Sequence, residues 1–386
     1  MRITHIQSLF SVDHGGPTQS LRHIVKAQAG KHQVSLRVLD GFPGAAPCEV
    51  LDGGIDQMAF QVDWPWRMGA SKGLKRQLRA DPTPDIYHLH GTWHRAPYYG
   101  AVEARRRRCP YILELYGSYD APNLQWKPVR KWVFRLWFQD RVLRSAACLH
   151  VNSENEGKRL RQMGFSNPIA VVPGPINFAS LSSLSAQRPR LREDVCRFVL
   201  YLARIDRKKG IEYLIEAWAH VAPKLGGMQL VIAGPGELAS VQHYQSIVLP
   251  SPVANSVHWL GRVSEEEKVW LYRNACLYVL PSANENFGNT IAEALACGTP
   301  VITTKHTPWE CLETHRCGWW INRDTPTLVD TLLTACSLDG KALDEMGRRG
   351  AALVRERFSL DSVAASTDAL YGWCLGGARP DHLLIV

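Results

Sequence analysis

None of the ten cysteines stands in a C-x-x-C pair, so neither a zinc ribbon nor a disulfide framework is indicated. Several, such as Cys276, Cys297 and Cys336, fall inside apolar helical or strand patterns, where a free thiol packs as a small hydrophobe. Cys311, Cys317 and His315 could chelate an ion, but no second pair at ligand spacing supports them. No run approaches the roughly 20 apolar residues of a membrane span. An apolar strand starts at Ile3, leaving no room for the charged and apolar regions of a secretory signal, so the expected location is the cytosol. An acidic excess is also missing. Residues 1–178 hold 24 Lys and Arg against 14 Asp and Glu, whereas residues 179–386 hold 21 against 22. The basic half suits an anionic partner, whether lipid headgroups, nucleic acid or a pyrophosphate-linked molecule, and charge alone does not choose among them.

The 386 residues exceed one typical domain, and two of roughly 180 residues each are expected. The first half reads as a strand from Ile3 to Leu9, a glycine turn, a helix from about Pro17 to Ala29 and a strand from Val34 to Leu39. Further strands run from Ile86 to Leu89 and from Tyr111 to Leu115. The second half repeats the scheme from Phe198 to Ala203, Leu230 to Ala233, Val257 to Leu260, Leu277 to Leu280 and Val301 to Thr304. Short apolar strands alternating with helices predict an α/β chain with two Rossmann-like, doubly wound parallel sheets. The division is placed after VVPGPINF (Val171 to Phe178), because Ala179 to Arg190 is rich in Ser, Pro and Arg and carries no apolar period. The expected domains are 1–178 and 196–358.

The stretch VLPSANENFGNTIAEALACGTPVITT (Val279 to Thr304) reads as strand, loop, helix, strand, with Asn289 a candidate N-cap and Gly298 and Pro300 closing the helix. A helix start at the carboxyl edge of a parallel sheet presents unpaired N–H groups to phosphate. Glu285 belongs to the loop. Glu293, about one turn into the helix, could accept two hydroxyl hydrogen bonds from a ribose; equally, a Glu pair at this spacing fits a solvated surface. In VLYLARIDRKKG (Val199 to Gly210), a buried strand ends in cations. Arg204 can grip phosphate oxygens through its planar fork and Lys209 can serve as a point charge; a solvated basic turn is the alternative.

Together these segments resemble the retaining glycosyltransferases of family 4, the group 1 type with GT-B architecture. The resemblance covers nearly the whole chain. It rests on Glu285 and Glu293 in an E-x7-E motif, Arg204 and Lys209 in R-x4-K-G, Gly15 and Gly16 near the start, and DIYHLHGTW (Asp85 to Trp93). LGRVS (Leu260 to Ser264) and PWE (Pro308 to Glu310) add to it. The family implies two domains facing a central cleft, with the C-terminal helix, about 359–386, crossing back to the first. It implies a sugar moved from a nucleoside diphosphate to a hydroxyl acceptor, with the donor in the second domain and the acceptor in the first. Glu285, Arg204, Lys209 and His90 would then act at the reaction centre. Asn286, Phe287, Gly288, Asn289, Thr290, Glu293, Arg262, Val263, Gly15 and Gly16 would bind the donor, with UDP favoured over GDP. No D-x-D occurs, which agrees with a reaction that needs neither metal nor other cofactor. DIYHLHGTW and PWE look most like enzymes extending bacterial surface polysaccharides, so a lipid-linked saccharide acceptor at the inner membrane face is expected. An epimerase or phosphorylase on the same fold, or a non-catalytic nucleotide-sugar binder, are the rival readings.

His88, Trp93 and Tyr116 are the expected acceptor contacts. His88 and His90 end a strand where open α/β sheets bind ligands, though a histidine bonded to backbone would look the same. Many family members carry a histidine at the position of Tyr116, where a tyrosine supplies a hydrogen bond or a stacking surface instead of an acid or base. Trp126 to Arg144 reads as an amphipathic helix, with Val129, Trp132, Val133, Leu136 and Trp137 on one side and Lys127, Lys131 and Arg135 on another. That pattern suits either an anionic lipid surface or a core-packing face with a solvated back. Glu265 to Glu267 follow Ser264 as a helix first turn, with no chemistry assigned.

Overall fold

The computed structural model describes residues 1–11, 15–120, 131–132, 134–248 and 253–385. Its strands are β1 (Arg2–Leu9), β2 (Gln33–Asp40), β3 (Asp56–Gln61), β4 (Ile86–His90), β5 (Tyr111–Glu114), β6 (Cys148–Val151), β7 (Ile169–Val171), β8 (Phe198–Leu202), β9 (Gln229–Ala233), β10 (Val257–Gly261), β11 (Leu277–Leu280), β12 (Val301–Thr304), β13 (Gly318–Ile321) and β14 (Leu384–Ile385). They form two sheets in two compact units, Met1–Pro175 with Leu360–Val386, and Ile176–Ser359.

The first sheet runs β14-β7-β6-β5-β4-β1-β2-β3, parallel throughout except for β14 against β7. The second runs β10-β9-β8-β11-β12-β13, all parallel. Strands such as β8 (FVLYL) and β11 (LYVL) are wholly buried, as continuous apolar runs covered by helices on both faces must be. Each sheet reverses its strand order once, between β1 and β4 in the first and between β8 and β11 in the second. Loops leaving the carboxyl ends of such neighbours diverge to opposite faces and open a crevice.

The chain returns to the first unit through the helix Leu360–Cys374, whose Val363, Leu370 and Tyr371 join Ile3, Ile24, Ile86 and Ile112 in one buried cluster. The division between units falls at Pro175, three residues before the expected Phe178. Ile176 belongs to the second unit because its N–H donates to the Phe358 carbonyl. The Ser-rich segment that follows is more than a linker: Asn177 caps a short helix, Phe178–Ser183, and Leu191 and Val195 are buried in the second core.

Of the amphipathic helix expected from Trp126 to Arg144, residues 126–130 and 133 (with Lys127, Val129 and Val133) and the Leu136 side chain lie outside the described residues. Arg135–Gln139 is a π-helical turn running into Asp140–Arg144, and it buries Phe138 while Trp132 and Trp137 stay 61% and 58% exposed. All ten cysteines are free, and His315 turns to the Thr314 hydroxyl and the Cys311 carbonyl. Among the described residues no helix is long and apolar enough to cross a membrane.

Candidate active site

Beyond β8 the chain passes the exposed Arg204, then a 3-10 turn, Arg207–Lys209, capped by Asp206, and enters the helix Ile211–Val221 at Gly210. Gly210 has φ 73°, and a Cβ there would lie 2.0 Å from the Pro281 carbonyl oxygen. Glycine is what lets the two loops touch. The Ala283 N–H and the Ser282 hydroxyl donate to the Lys208 carbonyl at 2.7 and 3.0 Å, and Lys209 Nζ donates to Glu285 Oε1 at 2.6 Å. The R-x4-K-G and E-x7-E segments therefore meet at the switch point of the second sheet. The pair is partly desolvated, with the Glu285 side chain 10% and the Lys209 side chain 22% exposed.

The loop after β11 delivers the chain into the helix Asn289–Ala296, and here the N-cap is Gly288 rather than Asn289. Gly288 adopts φ 89°, and a Cβ would come within 3.0 Å of Ile291 and 3.2 Å of the Trp309 indole nitrogen, so no capping side chain fits. The amides of Asn289 and Thr290, in the first turn, have no intrahelical acceptor and remain available to an anion. The Phe287 ring packs among Trp309 and Phe358, and its carbonyl accepts from the Trp309 indole, which leaves its backbone N–H as the group that could meet a donor. Asn286 Oδ1 is buried without a protein partner. The buried Tyr278 hydroxyl donates to the Leu202 carbonyl at 3.0 Å and stands 2.8 Å from the Thr290 hydroxyl, tying the end of β8 to the helix start.

Glu293 lies one turn further in. Tyr272 donates its hydroxyl to Glu293 Oε2 at 3.1 Å, and Lys268 Nζ is 3.4 Å from both carboxylate oxygens. Burial works against the Lys268 charge, yet the carboxylates of Glu293 and Glu265 hold its ammonium above the ordinary range. Glu293 is thus held in position by Lys268 and Tyr272 before any ligand arrives. Glu265 to Glu267 open the helix Glu265–Asn274, with Ser264 and Glu267 forming a reciprocal capping box. Arg262 and Val263 leave β10 after Gly261, two strands from Arg204.

In the first unit, the crevice between β1 and β4 is a pocket of about 540 Å³ whose wall includes Pro17, His90, Thr92, Trp93, Tyr116 and Lys131. Gly15, at φ 73°, starts the helix Gly16–Ala29 with open space where a Cβ would be. Trp93 and Tyr116 both hold positive φ, 68° and 51°. The Trp93 ring stacks on Tyr119 with centroids 5.1 Å apart, and Lys131 Nζ lies 5.4 Å from its centre. Tyr116 sets its hydroxyl 3.2 Å from His90 Nδ1.

His88 does not reach this pocket. It lies two residues below His90 on the same face of β4, buried, with Nδ1 2.7 Å from the Tyr371 hydroxyl. Around it sits a buried polar cluster. His5 Nε2 meets Gln28 Oε1 and His5 Nδ1 meets His90 Nε2, both at 2.9 Å; His90 Nδ1 donates to Glu114 Oε2 at 2.9 Å. His150 Nε2 donates to the Val172 carbonyl at 2.7 Å. Burial holds His5, His88 and His90 below the ordinary imidazole range, while Glu114, although burial opposes its charge, is kept low by His150 and His90. His90 is thereby locked in place at the pocket floor. Sequence reasoning missed Lys268, Tyr272, His5, Glu114 and His150; Glu114 and His150 were signalled by one charged or imidazole residue in each of the short apolar strands β5 and β6, whereas His5 shares β1 with Thr4, Gln7 and Ser8.

Residues 196–337 match the family model of the group 1 glycosyl transferases, and residues 15–175 match that of the glycosyl transferase 4-like domain. A D-inositol 3-phosphate glycosyltransferase of Streptomyces bingchenggensis is 27% identical over 344 residues, 81% of this chain and 75% of the relative. A phosphatidyl-myo-inositol mannosyltransferase of Mycobacterium leprae is 27% identical over 233 residues, 59% of this chain and 57% of the relative. Among solved structures, Anabaena HepE in complex with UDP and glucose superposes with a TM-score of 0.72 at 18% identity, covering 97% of this chain and all of that one. With both halves matched in sequence and the whole chain matched in fold, the protein belongs to the group 1, family 4-like glycosyltransferases of GT-B architecture.

Proposed function

We propose that this glycosyltransferase moves a hexose-type sugar from a nucleoside diphosphate sugar to a saccharide hydroxyl, with retention at the anomeric carbon. The observation that carries this reading is the meeting of Lys209, at the end of the β8 loop, with Glu285 at a helix start whose first amides are unpaired. Negative charge grows on the leaving diphosphate in the transition state. Arg204, Lys209 and the amides of Asn289 and Thr290 are preorganised to receive it, in place of a metal-binding D-x-D, which the sequence lacks. Glu285 holds sugar hydroxyls and opposes the positive charge that develops on the ring, and Glu293 grips the ribose. UDP is favoured, in keeping with the UDP found in Anabaena HepE.

The first-unit pocket, with the aromatic Trp93 and the polar pair His90 and Tyr116, suits a sugar or polyol acceptor. A lipid-linked acceptor, as in exopolysaccharide or lipopolysaccharide assembly, is supported by the basic first half and by the exposed Trp64, Trp132 and Trp137, with Arg95 over the Trp137 ring at 5.0 Å. Binding to anionic vesicles should then be strong at low salt and weak at high salt; no binding at low salt removes the lipid part of the reading.

The main test is transfer of label from a panel of nucleoside diphosphate sugars to a glycolipid or saccharide, preceded by a thermal-shift screen for the donor. Arg204→Ala should bind the acceptor normally and lose about 10²–10³ in kcat. Unchanged kcat in both Arg204→Ala and Lys209→Ala would sink the diphosphate assignment.

A further inference from the structure

We infer that His88, Glu114 and His150, buried in the first unit, form a binding site for one divalent transition-metal ion of the zinc type. The three strands that carry them, β4, β5 and β6, are adjacent and in register, with His88 paired to Ile112 and Glu114 to His150. His88 Nε2 and His150 Nδ1 are 3.3 Å apart, and Glu114 Oε2 lies 3.8 Å from the first and 3.7 Å from the second. The two Glu114 distances exceed a hydrogen bond; Glu114 Oε2 accepts instead from His90 Nδ1, and the His88–His150 contact is the one hydrogen bond within the triangle. The equidistant point in the plane of the three atoms lies about 2.1 Å from each, the length of a zinc bond to imidazole nitrogen or carboxylate oxygen, and a tetrahedral ion, whose ligands stand about 3.3 Å apart, would draw Glu114 in by about 0.4 Å.

The outer contacts are those a metal site needs. A carbonyl only accepts, so the His150 proton must sit on Nε2, toward Val172, and its Nδ1 lone pair faces the centre of the triangle. His88 can place its proton on Nδ1, toward the Tyr371 hydroxyl, which bares Nε2 without releasing a proton. Metal-bound histidines generally donate their second N–H to such a carbonyl or hydroxyl. A cavity of about 10 Å³ beside the triangle, bordered by Ser20, Pro173, Pro175 and Thr367, has room for one water as a fourth ligand. The neighbouring group His5, His88 and His90 is a poorer candidate. There His5 Nδ1 and His90 Nε2 stand 2.9 Å apart, as a proton-sharing pair does, whereas two ligands of one tetrahedral zinc stand about 3.3 Å apart.

Such an ion would staple three strand ends to the returning C-terminal helix beneath His90. It would lie outside the pocket and take no part in sugar transfer, so the inference is independent of the proposed reaction. The test uses the full chain with any polyhistidine tag removed, equilibrated with Zn(II), dialysed and assayed for metal by mass spectrometry. One zinc per chain is expected in the wild type and in His5→Gln. Glu114→Gln and His150→Ala should lose it, and Tyr371→Phe, which keeps the packing, should bind about 10–100-fold more weakly. A folded wild type that retains no zinc overturns the site, as does full retention by His150→Ala. Should the ligand variants fail to fold, the wild type loaded with Co(II) decides: intense visible bands of a four-coordinate ion support the site, and the weak bands of a six-coordinate ion, or none, overturn it.

Discussion

Two carboxylates, one buried and one partly buried, show how the surroundings of a single residue set its chemistry. Glu156 accepts from the Gly117 N–H at 2.7 Å and the Asn152 N–H at 3.3 Å, pinning the loop that carries Tyr116. Burial, reinforced by the Asp120 charge and only partly offset by those amides, pushes its carboxyl up to about 8. The folded chain therefore keeps a proton that the unfolded chain gives up near pH 4.5. Stability contributed by this group is complete below that pH and drains as pH rises towards 8, by up to about 1.4 kcal/mol per unit. Glu156→Gln should flatten the fall in urea midpoint between pH 5 and pH 8, and an unchanged slope would assign the titration elsewhere. Glu293 is a different case, a partly buried carboxylate prepaired with Lys268 and Tyr272. Glu293→Ala should weaken nucleotide binding by about 1.5–3 kcal/mol, roughly 10- to 150-fold in Kd by calorimetry, and normal binding would refute the ribose role.

At the scale of elements, the donor site depends on how closely two loops approach. Gly210→Ala forces a side chain into both a left-handed conformation and the Pro281 carbonyl, whereas Gly226→Ala meets the strain alone, with open space around it. The first should cost more than about 2 kcal/mol and lower kcat at least tenfold by parting Lys209 from Glu285; the second should cost about 1 kcal/mol and leave kcat intact. Urea midpoints and transfer kinetics on both variants check this. Which elements were legible follows from burial. β8, β11 and β12 read directly as apolar runs because both faces are covered. β3 was missed because it is an edge strand with Asp56, Met58, Ala59 and Gln61 exposed, which leaves no period to read, and β7 because it has only three residues. Glu285 and Lys209 were each legible as motif members, but their contact spans 76 residues and only the strand order creates it. Likewise His5, Glu114 and His150 are polar residues in separate strands, and the order β6-β5-β4-β1 alone gathers them into one cluster. Lys268 and Tyr272 looked like ordinary helix residues because their partner Glu293 belongs to a different helix.

At the scale of the whole molecule, the chain leaves one core, builds a second and comes back, so a residue near the C-terminus supports the N-terminal sheet. Leu370 is fully buried against β1 and β4 residues, while Leu295 is fully buried in the core of Ile176–Ser359. Two separate cores of this size need not melt as one transition. A buried Leu→Ala change costs about 2–5 kcal/mol, and for a unit of about 200 residues each kcal/mol moves Tm by about 2–4 °C. Leu370→Ala should therefore lower the transition of the first unit by at least about 4 °C in calorimetry and leave the second in place, and Leu295→Ala should do the reverse. Saturating donor nucleotide identifies the transitions, because a ligand held by the second unit raises that unit's melting temperature. If the nucleotide-sensitive transition were the one that Leu370→Ala lowers, the donor site could not lie in the second unit, and the assignment of Arg204, Lys209 and Glu293 to it would fail.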